Sequence, residues 1–510
     1  MASEASGQGT ATVQAIPSWM AGSRFVALYL LLLVLLWSAL PAWFQSVPHA
    51  DNVEQLAWAH SWEWGYVKHP PLPTWLLRGA VCLFGPSAVL TYALAMACVA
   101  AALALLWRAA RELLDARAAL LVLLLSSANY YLMGRGSFLN HNTVMLPFVA
   151  GSAWAVLRIG RDAQGAAWQA WLLLGLAQAL GMLTKYQMAP IIAANALALA
   201  AQGVLRQPRP WRNAALAVLA TVLPLWPHLR WLQAHEFSTF TYAGQSLLAD
   251  LPALERVRRA LGFLLQQLGR FAPAIAAAGL AAWIARRAGG AAAEPAGAAA
   301  PARDGLRAVA LLALFPLAAV LALTLFAGVA PQNHWGASTT LLLPLLAVAA
   351  WPRLRRVSTR GLLAAVLAVQ LAAAAWFAAV GLRSTEFHFT FPARALAAAS
   401  QAYWSEHSGG RLAIIAGPDW EVGAISLELA THPDVLASGD RRQAPWVDDQ
   451  RLGSCGALVF WRPGLAPAQQ LGDALAAHIR DARTLQAAGP HGTATALEVG
   501  FLAPEGRGCD

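Results

Sequence analysis

The chain has 510 residues, of which 58% are apolar and 12% are charged, with a formal net charge of +10. Soluble domains carry about 25% charged residues, so this composition excludes a soluble globular protein. It indicates an α-helical polytopic membrane protein, because in lipid a helix satisfies its own backbone polar groups.

The apolar segments predict the membrane spans. The first of them, 25–44, is not followed by a small-residue cleavage site, so we expect an uncleaved span rather than a signal peptide. A crossing needs about 20 residues, with a range of about 17–25. Residues 72–85, interrupted by Arg78, are expected to form an interfacial helix. The eleven segments predicted to cross are 25–44, 86–107, 118–133, 142–158, 168–183, 187–205, 212–230, 260–285, 307–329, 338–351 and 361–382.

The basic residues indicate the side on which each loop lies. Eleven crossings place the two chain ends on opposite sides. One set of loops holds sixteen arginines between Arg108 and Arg360, and with Arg24 these are assigned to the cytoplasm. The opposite loops before residue 383 hold nine basic residues, so the C-terminus is expected outside. All twelve histidines and both lysines then fall on the outer side.

The C-terminal residues differ in composition, since 383–510 carry a net charge of −4. The sequence therefore predicts a transmembrane domain over 1–382 and a small outer α/β domain over 383–510. Cys455 and Cys509 are candidates for a disulfide in an oxidising compartment. Strand-like runs lie at 412–416, 457–461 and 495–501, and helix-like runs at 421–431 and 465–482.

The first outer loop, about 45–71, carries two candidate catalytic carboxylates. Asp51 and Glu54 are spaced i, i+3, so they share one face of a helix. An aspartate at this point also suits the N-cap of that helix, which is the alternative interpretation of Asp51.

Only two basic residues are lysines, Lys68 and Lys185. An ammonium cannot be replaced by a guanidinium where a single phosphate oxygen is met by a point charge, so the two lysines are candidates for binding phosphate. The alternative is that these two lysines have survived by chance in a chain biased toward arginine. Lys68 precedes His69 and a Pro-Pro pair that ends any helix. Lys185 lies in a short polar break between two apolar runs. A charged side chain at the centre of a membrane helix costs about 2.5–3.5 kcal/mol, so we expect a function for Lys185. Snorkelling to the interface is the alternative.

The other outer loops are short and polar. Asn140, His141 and Asn142 suit either a cap of the next span or substrate binding, and the arginines at 256–259 suit either phosphate or lipid headgroups. The candidates for binding a donor phosphate are Lys185, Lys68, His69, Arg135, Arg258 and Arg259. The candidates for other substrate contacts are Tyr66, Asn140, His141, Tyr186 and His334.

This arrangement resembles the GT-C membrane glycosyltransferases. More narrowly it is similar to glycosyltransferase family 39, the bacterial branch related to protein O-mannosyltransferases and to the lipid A aminoarabinose transferase. The resemblance covers most of 20–382 and is weaker for 383–510, where Gln443–Val447 looks like a stretch of these relatives. The matching pieces are Asp51 with Glu54, Lys68-His69-Pro70-Pro71-Leu72, Leu183-Thr184-Lys185 and the outer C-terminal domain.

The resemblance implies an inner-membrane enzyme with a periplasmic domain and a sugar donor on a polyprenyl phosphate. It implies that Asp51 is catalytic and that Lys185 meets the donor phosphate. One departure is that the aminoarabinose transferase pattern has Glu-Lys before Pro-Pro, where this chain has Lys68-His69. A cation in the place of that acid indicates a different donor sugar or a different handling of the phosphate.

We therefore expect transfer of a sugar from a polyprenyl-phosphate donor to an envelope acceptor. Lipid A or a related glycolipid is favoured as acceptor, and an amino sugar over an uncharged hexose. The alternatives are a protein or polysaccharide O-glycosyltransferase of the same family, a transporter or flippase of lipid-linked sugars, and a scaffold protein. The expected partners are the donor, the acceptor and membrane lipids, with no nucleic acid, and a divalent metal is left open.

Overall fold

The computed structural model describes residue 20 and residues 22–162, 167–206, 208–247, 251–287, 301–505 and 509. Up to residue 382 the described chain is almost entirely helical. Its helices are α1 (Ser23–Phe44), α2 (Ala50–Trp58), α3 (Leu72–Phe84), α4 (Ala88–Arg111), α5 (Ala116–Ser127), α6 (His141–Arg161), α7 (Trp168–Met182), α8 (Met188–Ala201), α9 (Arg209–Ala234), α10 (Ser238–Leu247), α11 (Ala253–Arg270), α12 (Ala272–Arg287), α13 (Arg303–Ala327), α14 (Gly336–Thr339), α15 (Leu343–Ala350), α16 (Pro352–Arg355) and α17 (Thr359–Gly381).

The described residues contain six helices long and apolar enough to cross a membrane, which are α1, α4, α6, α9, α13 and α17. A bent pair, α11 with α12, makes a seventh if it is counted as one span. The chain is a multi-pass membrane protein, but the predicted count of eleven crossings is not confirmed. The apolar helices α3, α5 and α8 have 13, 12 and 14 residues. They are shorter than the ~17 residues that a crossing needs.

Two of the predicted spans are broken rather than continuous. The pair α11 and α12 is bent by 44°. Pro273 lies in the first turn of α12 and has no N–H with which to continue the preceding helix. Segment 338–351 is divided between α14 and α15, and Pro344 lies in the first turn of α15. Hydropathy averaged along the chain does not detect such breaks.

Helix α1 shows how the bundle divides lipid from core. Its outward stripe follows helical spacing and consists of leucines that are each 53–56% exposed: Leu28, Leu31, Leu32 and Leu35. On its inward side Trp37 is buried, and its indole N–H donates to Oε1 of Gln370 on α17 at 2.8 Å. Gln370 in turn donates to the backbone oxygen of Ser127 on α5 at 2.7 Å. Buried polar bonds of this kind hold helices together where lipid offers no hydrophobic driving force.

The C-terminal residues form a five-stranded sheet with the order β2-β1-β3-β5-β4. Strands β1, β2 and β3 are parallel, and β5 pairs antiparallel with β3 and β4. Its strands are β1 (Ile414–Gly417), β2 (Asp434–Ala437), β3 (Ala457–Trp461), β4 (Arg480–Ala488) and β5 (Ala494–Leu502). The helices around it are α18 (Phe387–Thr390), α19 (Ala393–His407), α20 (Asp419–Glu428), α21 (Asp449–Cys455), α22 (Pro467–Leu471) and α23 (Asp473–Ala476).

The helix-like run predicted over 465–482 is helical only in part and is not one continuous helix. Two short helices, α22 and α23, are separated by Gly472 at φ +82°, a left-handed conformation that ends the first of them. Strand β4 then begins at Arg480, and neither β2 nor β4 was predicted. The sulfurs of Cys455 and Cys509 are joined in a disulfide.

The sheet region packs against α2. A Cβ placed on Gly423 of α20 would lie 2.3 Å from Cγ1 of Val53, so the two helices approach closely at this glycine. The indole N–H of Trp420 donates to the backbone oxygen of Pro48 at 3.2 Å. Nδ1 of His60 lies 2.7 Å from Oδ1 of Asp434. Helix α2 therefore lies between the membrane helices and the C-terminal sheet.

Candidate active site

Asp51 lies in the first turn of α2 and is held by Asn140. Its own N–H donates to Nδ1 of His49 at 3.5 Å, so His49 is the N-cap and the alternative of Asp51 as the cap is wrong. Oδ2 of Asp51 accepts a hydrogen bond from Nδ2 of Asn140 at 2.7 Å. Oδ1 of Asn140 caps α6 by accepting from the N–H groups of Asn142 and Thr143 at 2.9 and 3.0 Å.

The inner face of α2 is fixed by two buried amides that sequence reasoning missed. Nδ2 of Asn52 donates to Oγ1 of Thr91 at 2.8 Å, and its Oδ1 accepts from the N–H of Leu139 at 3.1 Å. Oε1 of Gln55 accepts from Oγ1 of Thr74 at 2.8 Å. Asn52 and Gln55 have the same i, i+3 spacing as Asp51 and Glu54, one residue further along the helix. This second polar pair was the signal in the sequence that α2 is polar on two faces.

Lys185 reaches the site from the break between α7 and α8. Its Nζ donates to Oδ1 of Asn142 at 2.8 Å. The N–H of Leu72, which follows the Pro-Pro pair, donates to the oxygen of Leu183 at 3.0 Å and ties the two loops together. Burial lowers the pKa of Lys185 to about 8, and the charge of Asp51 opposes that shift. At neutral pH Lys185 is therefore an ammonium with further N–H donors beyond the one given to Asn142.

Three histidines surround this ammonium. The rings of His69 and His141 have centroids 4.0 Å apart, and Nε2 of His141 is buried with no hydrogen-bond partner among the described residues. Burial lowers the pKa of His69 well below its usual value, and the charges of His141 and Lys185 lower it further. Burial and then Lys185 lower the pKa of His334 to about 3, against the opposing charge of Asp51. His69 and His334 are therefore neutral at physiological pH.

Arg135 adds a second cation near Asp51. Its guanidinium carbon lies 3.8 Å from the ring centroid of Phe138, whose other neighbour is the ring of His49 at 3.9 Å. Burial lowers the pKa of Arg135, and the charge of Asp51 opposes that shift. A guanidinium stays protonated in any case, so this group is a permanent positive charge.

Glu54 and Lys68 form an ion pair that extends to the C-terminal region. Nζ of Lys68 donates to Oε1 of Glu54 at 2.5 Å and lies 4.0 Å from Oδ2 of Asp419 on α20. Burial raises the pKa of Glu54, and Lys68 opposes the shift. Burial alone would lower the pKa of Lys68, but Glu54 and Asp419 together raise it. Asp51, Glu54, Lys68 and Asp419 line one cavity of about 190 Å³ with Trp58.

The hydroxyl group of Tyr186 has two hydrogen-bond partners that the sequence did not indicate. It lies 2.8 Å from Nε2 of His228 and 3.1 Å from Oγ1 of Thr239. Burial raises the pKa of Tyr186 to about 12, so the phenol stays protonated. Tyr66 is buried against Trp58, with ring centroids 5.0 Å apart. Its hydroxyl donates to a backbone oxygen at 2.8 Å.

The structure places Arg258 and Arg259 elsewhere. Both pair with Glu255 of their own helix α11, at 3.8 and 3.0 Å, and the Arg258 side chain is 83% exposed. Arg259 lines a separate cavity of about 260 Å³ with Asn333. Among the described contacts neither arginine meets Asp51 or Lys185.

Within the described ranges, no group of three or more His, Cys, Asp and Glu side chains is arranged to hold a metal ion. The side chains that meet in the site are a half-exposed carboxylate, Asp51, two cations, Lys185 and Arg135, and the neutral imidazoles of His69 and His334.

Comparison with known proteins identifies similar folds. Residues 68–231 match the model of the dolichyl-phosphate-mannose-protein mannosyltransferase family. The crystal structure of ArnT from Cupriavidus metallidurans bound to undecaprenyl phosphate matches with a TM-score of 0.61 and 14% identity, over 94% of this chain and 98% of that one. Its apo structure matches with a TM-score of 0.59 over the same shares. No curated protein matches the sequence.

A weaker match is the Archaeoglobus fulgidus oligosaccharyltransferase in complex with Zn and sulfate. Its TM-score is 0.39 at 12% identity, over 91% of this chain and 72% of that one, and it carries no further argument. The ArnT matches run nearly end to end, so the chain has the ArnT-like GT-C fold. The resemblance stated from the sequence is confirmed at the level of the fold.

Proposed function

We propose that the chain is a glycosyltransferase that takes a sugar from a polyprenyl-phosphate donor at the periplasmic face of the inner membrane. The observation that supports this most is the meeting of Asp51 and Lys185, which are 134 positions apart in sequence, through Asn140 and Asn142 at the start of α6. A carboxylate beside a lysine and an arginine suits a reaction in which a phosphate leaves as a base removes a proton.

In this mechanism the donor phosphate lies against Lys185 and Arg135. The acceptor oxygen attacks the anomeric carbon from the side opposite the phosphate, so the bond to the acceptor forms as the bond to the phosphate oxygen breaks. The anomeric configuration inverts, and polyprenyl phosphate leaves with the electron pair. The two cations offset the charge that grows on the leaving phosphate, which is the electrostatic part of the catalysis.

Asp51 acts on the acceptor. With a hydroxyl acceptor, the carboxylate takes the hydroxyl proton as general base, held in position by the Asn140 amide. With a phosphate acceptor, already anionic, Asp51 instead positions the acceptor or holds a cationic sugar. We assign Lys68 to Glu54 rather than to the donor phosphate, because its charge is already matched by Glu54 at 2.5 Å.

The favoured acceptor is lipid A or a related envelope glycolipid, and the favoured sugar is an amino sugar. Support comes from the shared fold with ArnT across both chains and from three carboxylates, Asp51, Glu54 and Asp419, that line one cavity and outnumber the one ammonium there, Lys68. Mass spectrometry of lipid A from a deletion strain and a complemented strain tests this directly. Loss and return of a glycosyl mass are expected, and identical lipid A in both strains contradicts the acceptor.

The exchange Asp51→Asn tests the base. Asparagine keeps an oxygen that accepts from Asn140 but cannot take a proton, so transfer to a hydroxyl acceptor is expected to fall about 10²–10⁴-fold. The measurement is transfer of labelled sugar from prenyl phosphate by purified protein. Asp473→Asn, on the exposed side of α23, is the matched control and should transfer normally. Full activity of D51N with intact folding removes the base from the scheme.

A further inference from the structure

A second cavity lies at the opposite end of α2 from Asp51. It has a volume of about 380 Å³ and is enclosed by the end of α2, by α3 and by α20 of the C-terminal region. Its polar lining consists of His60, Arg78, Arg411, Ser426, Thr431 and His432. Among the residues that the structure describes, no acidic side chain lines it. At a rise of 1.5 Å per residue the length of α2 separates it from Asp51 by about 12 Å.

Two guanidiniums face this cavity without a matching negative charge. Nη1 of Arg78 donates to the backbone oxygen of Ala59 at 2.5 Å, and its guanidinium carbon lies 5.5 Å from the ring of Trp62. Nη2 of Arg411 donates to the backbone oxygen of Thr431 at 2.9 Å. These carbonyls orient both side chains but leave their charges uncompensated, since the partners among the described residues are neutral.

The wall of the cavity also contains polar atoms that are buried without a partner. Nε of Arg78, Oγ1 of Thr431 and Nδ1 of His432 make no hydrogen bond to any described residue. Unmet donors and acceptors of this kind cost free energy until a ligand or water supplies their partners. His60 is different, because it already pairs with Asp434 at 2.7 Å. The residues that carry the unmet groups and the uncompensated charges therefore line the same cavity.

The surroundings of the cavity suit a membrane surface. Helix α3 ends beside it in two apolar side chains that are almost fully in the open, Leu83 at 78% and Phe84 at 77% exposure. Trp62, which lies under the Arg78 guanidinium, is 55% exposed. Exposed Trp and apolar residues next to arginine are typical of the headgroup level of a bilayer. A membrane lipid bound in the cavity would place its acyl chains beside α3 and its anionic group at the arginines.

We propose that this cavity binds the phosphate group of a membrane lipid, apart from the donor phosphate at Lys185. Arginine pairs with phosphate oxygens through two parallel N–H bonds, which a lone carbonyl partner leaves available. The cavity has the size of a small-molecule pocket, so it holds a phosphate with its adjoining glycerol or sugar. The proposal concerns binding and stands whether or not the chain transfers sugar.

The test uses the detergent-solubilised full chain and isothermal titration with three probes: dihexanoyl phosphatidic acid, dihexanoylglycerol and inorganic phosphate. The phosphatidic acid is expected to bind at one saturable site, and the other two at least about tenfold more weakly. Equal binding of dihexanoylglycerol overturns phosphate recognition. If inorganic phosphate binds as tightly as the phosphatidic acid, the site does not recognise a membrane lipid and the proposal is overturned.

Two variants locate the site. Arg411→Gln changes an exposed side chain and tests the cavity without disturbing α3, whereas Arg78→Gln also removes the contact to Ala59. Each is expected to weaken phosphatidic acid binding by at least about tenfold. Arg394→Gln is the matched control, because that arginine is 91% exposed, pairs with Glu428 and is not among the residues that line the cavity. Unchanged affinity in R411Q and R78Q, or an equal loss in R394Q, overturns the proposal.

Discussion

Asn140 serves two neighbours with one side chain. Its oxygen caps α6 while its amide nitrogen holds Asp51 at 2.7 Å. The sequence left capping and substrate binding as alternatives, but the two ends of an amide allow a cap and a contact to the carboxylate at once. A substrate role for Asn140 stays a prediction.

Two substitutions separate these tasks of Asn140. Asn140→Ser keeps a capping oxygen, so its stability should stay within about 0.5 kcal/mol of the wild type, whereas Asn140→Ala loses the cap and about 1 kcal/mol. Both lose the hydrogen bond to Asp51, so both should lose transferase activity, by about tenfold. Thermal unfolding and sugar transfer are measured on the same preparations. Full activity in N140S would show that Asp51 needs no such partner.

The pKa of Lys185 predicts how the transferase activity declines at alkaline pH, on the alkaline limb of the pH profile. Its ammonium is present below its pKa of about 8 and is lost above it. The kcat/KM for the donor should therefore fall about tenfold per pH unit above about pH 8, because this parameter reports groups of the free enzyme. The phosphodiester of the donor does not titrate in this range, so with a donor sugar that carries no amine the limb belongs to the protein.

The matched variant for this limb is Lys185→Arg. A guanidinium stays charged through pH 10, so whatever activity K185R retains should show no decline above pH 8. The profile is recorded from pH 6 to pH 10 with a non-titrating prenyl-phosphate sugar. A decline in K185R as steep as that of the wild type would assign the limb to another group.

At the scale of elements, α2 and α20 approach each other closely at Gly423. Adding a methyl group in Gly423→Ala puts a carbon 2.3 Å from Cγ1 of Val53, which is far inside contact distance. Overpacking of this kind costs about 1–3 kcal/mol, so the unfolding temperature should fall. Val53→Ala removes that carbon, and the double variant should recover part of the loss. Gly409→Ala is the control, since it meets nothing within 4 Å.

The elements that could be predicted from the sequence are those with a strong local pattern. The apolar runs contain helices, and the strands near 412–416, 457–461 and 495–501 all form. Strand β4 was missed because it is mostly exposed along its length, so its residues show no alternation. The helix expected across 465–482 forms only in part because a single glycine, Gly472, interrupts a pattern that otherwise reads as helical.

The grouping of the site could be predicted only in outline. Sidedness placed Asp51 and Lys185 on one surface, but the amides that join them, Asn140 and Asn142, are unremarkable polar residues in a short loop. Asp419 approaches Lys68 only because α20 packs on α2, a contact between residues about 350 positions apart in the chain. Long-range packing of this kind leaves no periodicity to detect.

At the scale of the whole molecule, the orientation makes a prediction of its own. In a background with Cys82 and Cys98 replaced, Arg394→Cys should react with a membrane-impermeant maleimide in intact spheroplasts. Arg353→Cys, on the short exposed helix α16 in an arginine-rich stretch, should react only after lysis. Labelling is read by mass shift. Reaction of both positions in intact spheroplasts would contradict the assigned sides and, with them, the periplasmic site.

Because α2 packs between the membrane helices and α20, it constrains which chimeras of related chains can fold. Asn52 of this nine-residue helix is hydrogen-bonded to the helix bundle, and Val53 packs against α20. A chimera that imports a foreign C-terminal region but retains the native α2 should misassemble, even though every proposed reacting group is still present. Importing α2 together with that region restores the match, so we expect the pair to be inherited as one module.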